Sequence, residues 1–112
     1  FKEALRIKIE TLGDSHPEVG ETHMSMGAAH SFRGQHVEAL EHLGKALRIR
    51  CATHGEESVE AADAKYSLAL SHRMQGSGEK AKELFQACAR TYAQVHGPGH
   101  SRTKEAVRFA RL

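Results

Sequence analysis

The sequence predicts an all-α fold of antiparallel helix-turn-helix units stacked one on the next. Three observations carry this. Apolar residues recur three and four positions apart, the spacing that puts them on one face of a helix. A 42-residue period runs through the 112 residues without a gap. A glycine falls between the apolar runs at the same place in each period.

The period is read off directly. Gly13, Gly55 and Gly97 are 42 apart, as are Gly34 and Gly76, Ala39 and Ala81, Leu43 and Phe85, and Ala46 and Cys88. The string ALRI at 4–7 returns at 46–49. Residues 1–70 laid on 43–112 share 17 identities, where composition alone gives about 5. A repeat of this length means supersecondary units that cannot bury their apolar faces alone and do so by stacking. Stretches such as ETLGDSHPEVGE (10–21) are then the joints between units.

The elements follow in order. Residues 1–11 form a second helix whose first is missing. Residues 17–53 form a unit, with helices over 17–33 and 36–53. Pro17 suits the first helical turn, where its absent N–H costs nothing, and Gly34 stops the helix by taking the left-handed conformation cheaply. Residues 59–95 repeat it, with helices over 59–75 and 78–95 and Ser58 as N-cap. Residues 101–112 form a first helix lacking its second. The expected tally is five helices, each antiparallel to its neighbours, with no strand.

Composition narrows the function. Hydrophobic residues make up 39% and charged residues 27%, a globular rather than a disordered balance. The net charge of +2 is too small to argue for nucleic acid. No apolar run approaches the roughly 18 residues of a membrane span. The chain starts without Met inside an amphipathic pattern, so no signal peptide and a longer parent protein are expected. Cys51 and Cys88 form neither a metal spacing nor a disulfide framework, and a reducing, cytoplasmic setting is expected.

Small residues set the helix crossings. Gly27 and Ala69 share one position of the first helix, and Ala39 and Ala81 share one of the second, with Leu43 and Phe85 filling the space beside them. A small residue in the first helix, a turn Gly, then Ala, a large apolar residue and Ala: this pattern resembles the tetratricopeptide repeat. The standard form of that repeat is about 34 residues, and the unit here is about 8 longer. The longer form is similar to the kinesin-light-chain type, whose AL-x-I helix end and LG-x-x-HP-x-V connector are matched by 4–7 and 12–19. The resemblance covers essentially the whole chain. It implies a short right-handed superhelix, an α-solenoid that binds proteins and has no catalytic residues. There are departures. The second connector, HGEESVEA, lacks His-Pro, and the third, HGPGHSRT, keeps His100 without the Pro. Ser25 and Ser67 stand where the family often has a groove-facing Asn.

No catalytic motif is present. GSGEKAKE (76–83) has neither the spacing nor the Ser/Thr of a phosphate loop and reads as a turn. Nine histidines invite a metal assignment, but the residues favour none. His30 and His72 recur by period on the buried flank of the first helix and read as hydrogen-bonded across the helix pair. His96 and His100 are separated by a Gly-Pro-Gly that denies them a common helix face. Cys88 replaces an Ala of the second helix and reads as an inert buried filler. No cofactor is expected.

The groove lined by the first helices is the remaining candidate. By period it carries Glu21, Met24, Ser25, Ala28, Ser31 and Phe32, then Asp63, Tyr66, Ser67, Leu70, Arg73 and Met74, then Glu105, Arg108 and Phe109. One reading makes Phe32, Leu70 and Met74 packing residues between units. The other makes the groove mixed apolar and cationic, with Tyr66, Arg73 and Arg108 receiving an acidic peptide or partner segment. The alternative function is a structural spacer or self-association element. Apolar end helices, with Leu5 and Ile9 at one end and Val107, Phe109 and Leu112 at the other, then predict a homodimer. Nucleic acid is a weak third: the stretch 101–112 is locally +3, which equally describes a solvated helix face.

Overall fold

The computed structural model describes residues 2–13 and 15–111, with Lys2 by its backbone alone. Six helices follow one another: α1 Lys2–Leu12, α2 Pro17–Phe32, α3 His36–His54, α4 Val59–Met74, α5 Gly78–His96 and α6 Ser101–Ala110. Among the described residues there is no strand. The expected tally of five undercounts the six segments read as helical from the sequence, each of which forms one helix. Boundaries agree with the sequence reading to within a residue or two, and the end of the last segment, Leu112, lies outside the described residues.

The joints come in two kinds, and each needs its glycine. Three-residue turns link α2 to α3 and α4 to α5, with Gly34 at φ 77° and Gly76 at φ 88°. Turns this short force each pair into an antiparallel hairpin. The longer joints pass through Gly13, Gly55 and Gly97 at φ 89°, 98° and 89°. Gly55 and Gly97 combine this with ψ of 155° and 156°, a region open essentially to glycine alone.

Each long joint ends in a side-chain cap. His16 Nδ1 accepts from the Glu18 N–H at 3.1 Å, Ser58 Oγ from the Ala61 N–H at 3.1 Å, and His100 Nδ1 from the Arg102 N–H at 3.1 Å. The helix start leaves several N–H groups without an intrahelical partner, and each cap satisfies one. Ser58 was legible as a cap. The two histidines were not, because imidazole is a less familiar acceptor there than a hydroxyl.

Packing follows the small-residue pattern. Ala39, Ala46, Ala69 and Cys88 have no exposed surface, and Leu43 and Phe85 have 1%. A Cβ on Gly27 would stand 2.5 Å from Leu43 Cγ, so α2 and α3 cross too closely there for any side chain. The larger core cluster joins α4, α5 and α6 around Tyr66, Phe85 and Tyr92. A smaller one joins α3 and α4 around Ala39, Leu43 and Leu68, with Met24 packed against it. Hairpins α2–α3 and α4–α5 are the densest contacts, whereas α1 packs sparsely, mainly on α2.

Candidate functional site

The first helices α2, α4 and α6 form one side of the stack, and their side chains meet there. Ser31 Oγ lies 3.1 Å from Ser71 Oγ, tying α2 to α4. The Tyr66 hydroxyl donates to the Glu105 carboxylate, tying α4 to α6. The Tyr92 hydroxyl of α5 donates to Asp63 at 2.5 Å. Burial, and then the neighbouring Asp63 carboxylate, push the Tyr92 phenol well above its ordinary range. Arg102 stands over both rings, 4.9 Å from the Tyr66 centroid and 5.9 Å from that of Tyr92. Two carboxylates expected on this surface, Asp63 and Glu105, are thus engaged by tyrosines. The sequence signal was their shared position in the period, but the tyrosine partners lie 29 and 39 residues away.

Tyr66 is only 7% exposed, with its ring edge-on to Phe85 at 5.6 Å. It is a core residue rather than an open contact surface, which corrects the sequence expectation. Phe32 and Met74 depart in the opposite sense. They are 94% and 63% exposed and do not pack between units, because both fall at the last turn of a first helix. Leu70 does pack, half-buried against the larger core, and Met24 packs against the smaller one. Ser25 is exposed; Ser31 and Ser67 are half-buried.

Arg73 and Arg108 are brought together. Arg73 leaves the last turn of α4 and its guanidinium carbon lies 4.7 Å from the Phe109 ring centroid; that of Arg108, from α6, lies 5.3 Å from the same ring. Phe109 itself stacks on buried Phe85 at 5.0 Å. One aromatic ring therefore carries two exposed cations, as its negative face favours. Beside it opens a cleft of about 450 Å³ lined by Arg73, Glu79, Lys82, Phe85 and Phe109.

The residues assigned to self-association are scattered. Leu5 and Ile9 are half-buried and line a cleft between α1 and α3. Val107 lines a shallow hollow with Pro98, Lys104, Arg108 and Arg111. Phe109 is held in the ring stack just described, and Leu112 lies outside the described residues.

The histidines form contacts that spacing alone did not reveal. His23, 4% exposed, sets its Nδ1 2.9 Å from His42 Nδ1, and the His42 ring stacks on His30 at 5.4 Å. Burial first, then the His42, Lys45 and Glu41 charges, shift His23; the net direction is below the ordinary value. His30 bonds to Gln35 in the turn, 2.7 Å away, rather than across the helix pair. His72 departs further: its buried Nδ1 has no hydrogen-bond partner. His96 and His100 belong to different elements, yet their rings stack at 4.6 Å. Among the described residues, no three His, Cys, Asp or Glu side chains are grouped to hold a metal. Cys88 is fully buried, its thiol donates to the Ala62 carbonyl at 3.2 Å, and burial pushes it up to about 12. Such a thiol is a filler, not a nucleophile.

Two family models match, both described as "Tetratricopeptide repeat", one over residues 1–52 and the other over 61–102. The chain belongs to the tetratricopeptide repeat family. Both models are of the kinesin-light-chain-like type, in keeping with the 42-residue period. No individual curated protein matches the chain. Tetratricopeptide repeats generally mediate protein–protein interaction and are not catalytic units. Among the described residues, no helix is long and apolar enough to cross a membrane.

Proposed function

We propose that this tetratricopeptide array is a protein-interaction scaffold that takes an acidic partner segment on the first-helix side, against Arg73 and Arg108. The observation that supports it is the convergence of two exposed guanidinium groups, from α4 and α6, on the single ring of Phe109. Arginine recognises carboxylates bidentately, and the adjoining cleft offers apolar surface beside the charge. Asp63 and Glu105 on the same side are engaged by Tyr92 and Tyr66, and in the cleft itself Glu79 is set against Arg73 and Lys82. A reducing cytoplasm suits Cys51 and Cys88, which are unpaired.

The test is fluorescence anisotropy with a labelled Glu-rich peptide carrying one aromatic residue. Arg73→Ala and Arg108→Ala should each weaken binding by at least about 1 kcal/mol, as interface anchors do. Arg90→Ala, on an exposed position of α5, should change nothing. Equal losses from both sides of the stack, or no binding at all, defeat the reading.

A further inference from the structure

Three positions of each first helix receive the second helix of the same unit. In the first unit they are Gly20, Met24 and Gly27. A Cβ on Gly20 would stand 3.0 Å from Ile49 Cγ2, one on Gly27 2.5 Å from Leu43 Cγ, and Met24 packs against the cluster of Ala39 and Leu43. In the second unit they are Ala62, Tyr66 and Ala69, all buried in one cluster with Ala81, Phe85 and Cys88 of α5. One period further on, the same three positions of α6 are Lys104, Arg108 and Arg111.

Steps of four and three put these cations on one face of α6. All three are exposed, and with Pro98 and half-buried Val107 they line a hollow of about 380 Å³. Among the described residues, none of the three is paired with a carboxylate. The one acidic residue of α6, Glu105, accepts from the Tyr66 hydroxyl. The residues at these positions of α2 and α4 let a second helix close to crossing distance. Long cations in their place turn away an apolar helix, whose approach would strip water from the charges and replace it with nothing. Carboxylates on the incoming helix remove that cost, and guanidinium groups take them bidentately. The outer face of α6 thus has the register of a helix seat and the charge of an anion seat.

We propose that this face docks an acidic amphipathic helix of a partner protein. The helix lies antiparallel on α6, as α3 lies on α2, with carboxylates opposite Lys104, Arg108 and Arg111 and an aliphatic side chain over Val107. A helix fits better than a nucleic acid. The hollow has no aromatic ring among its lining residues on which a base could stack, and the face continues the register of two seats that hold helices. The proposal goes beyond the reading of Arg73 and Arg108 above. Arg108 borders both surfaces, whereas Arg73 belongs only to that one and Lys104 and Arg111 only to this.

Fluorescence anisotropy with the 112-residue chain tests it. The probe is a labelled Ala-rich peptide of about 18 residues, long enough to form a helix, with three Glu at steps of four and three and a Leu beside them. Its control has the same composition with the three Glu spread around the helix. Lys104→Ala and Arg111→Ala should each weaken binding of the probe by about fivefold or more, as anchors do. The control peptide should bind weaker than the probe by a similar factor. Arg73→Ala and Arg90→Ala should stay within about twofold of the wild type. Arg111→Glu should lose the probe and bind its Lys-for-Glu counterpart better than the wild type does. No binding of the probe, equal binding of probe and control, or indifference to Lys104 and Arg111 would overturn the proposal. Losses confined to Arg73→Ala and Arg108→Ala would overturn it too, while sparing the groove reading. Single-stranded oligothymidylate that binds tighter than the probe and is lost in the same two variants would assign the face to nucleic acid instead.

Discussion

The Nδ1 of His30 lies 2.7 Å from Gln35 Oε1 and closes the turn between α2 and α3. One period later the same histidine, His72, has Ser77 in the place of Gln35, and its buried Nδ1 has no hydrogen-bond partner. Serine is two bonds shorter than glutamine and does not reach. A buried ring nitrogen without a partner loses the hydration it had in the unfolded chain. Ser77→Gln should therefore raise stability by about 0.5–1.5 kcal/mol, the worth of one such bond. Urea midpoints measured in wild-type and His72→Leu backgrounds check it, since the gain should vanish when His72 is removed.

Two helical glycines should respond to alanine with opposite signs. Gly44, inside α3, has nothing within 4 Å of an added Cβ. Gly44→Ala should stabilise by about 0.5–1 kcal/mol through helix propensity. Gly27 would drive its Cβ to 2.5 Å from Leu43 Cγ and 2.6 Å from Cδ2. The branch point itself must move, so overpacking of about 1–3 kcal/mol should exceed the propensity gain. Thermal midpoints that shift the same way for both would show the crossing at Gly27 to be looser than described.

The long joints can be probed without touching any contact. Gly55 has open space around it but φ 98° and ψ 155°. Gly55→Ala should cost about 1–3 kcal/mol from backbone strain alone. Gly99→Ala, equally open and free of positive φ, should stay within about 0.5 kcal/mol. Chemical denaturation of the two variants side by side decides it.

Stability should fall with acid in a defined window. Burial is the largest cause that holds His23 and His72 below the ordinary value, with His42 and Lys45 adding to it for the first and Lys80 for the second. The unfolded chain then binds these protons more readily than the folded one. Their contribution is full above about pH 6.5 and is lost as pH falls from there through the folded values. Urea midpoints from pH 7.5 downward should decline, and more shallowly in the double variant His23→Leu, His72→Leu.

Much of the fold was legible because the period aligns independent signals. Gly55, Ala39 and Leu43 each suggest something weak alone, but their recurrence at Gly97, Ala81 and Phe85 fixes joints, crossings and core together. The site was less legible. Arg73 and Arg108 could be placed on one side by register, yet only their contact with Phe109 joins them. Tyr66 looked available because its position on α4 faces the groove by period; the depth at which α5 and α6 pack against it is a tertiary fact. Phe109 was read as an end-helix residue because its stacking partner Phe85 is on another helix. The His23–His42 contact was hidden for a related reason: 19 residues separate the pair, and the second repeat offers no copy to reveal it.

The three long joints share more than a glycine. Gly13, Gly55 and Gly97 each receive a hydrogen bond from the residue three places on, His16, Ser58 and His100, at 3.3 Å. Two of them also follow a histidine, His54 and His96, so the chain enters and leaves the segment 55–96 through identical His-Gly steps. That segment is consequently a length-conserving cassette. A duplicate of 55–96 spliced in before Gly97 would meet the same backbone at both seams and present α5 with a second α4 where α6 now sits. The array can lengthen by whole cassettes with no new connector to invent, and any insertion that is not a multiple of 42 breaks the register of every crossing downstream.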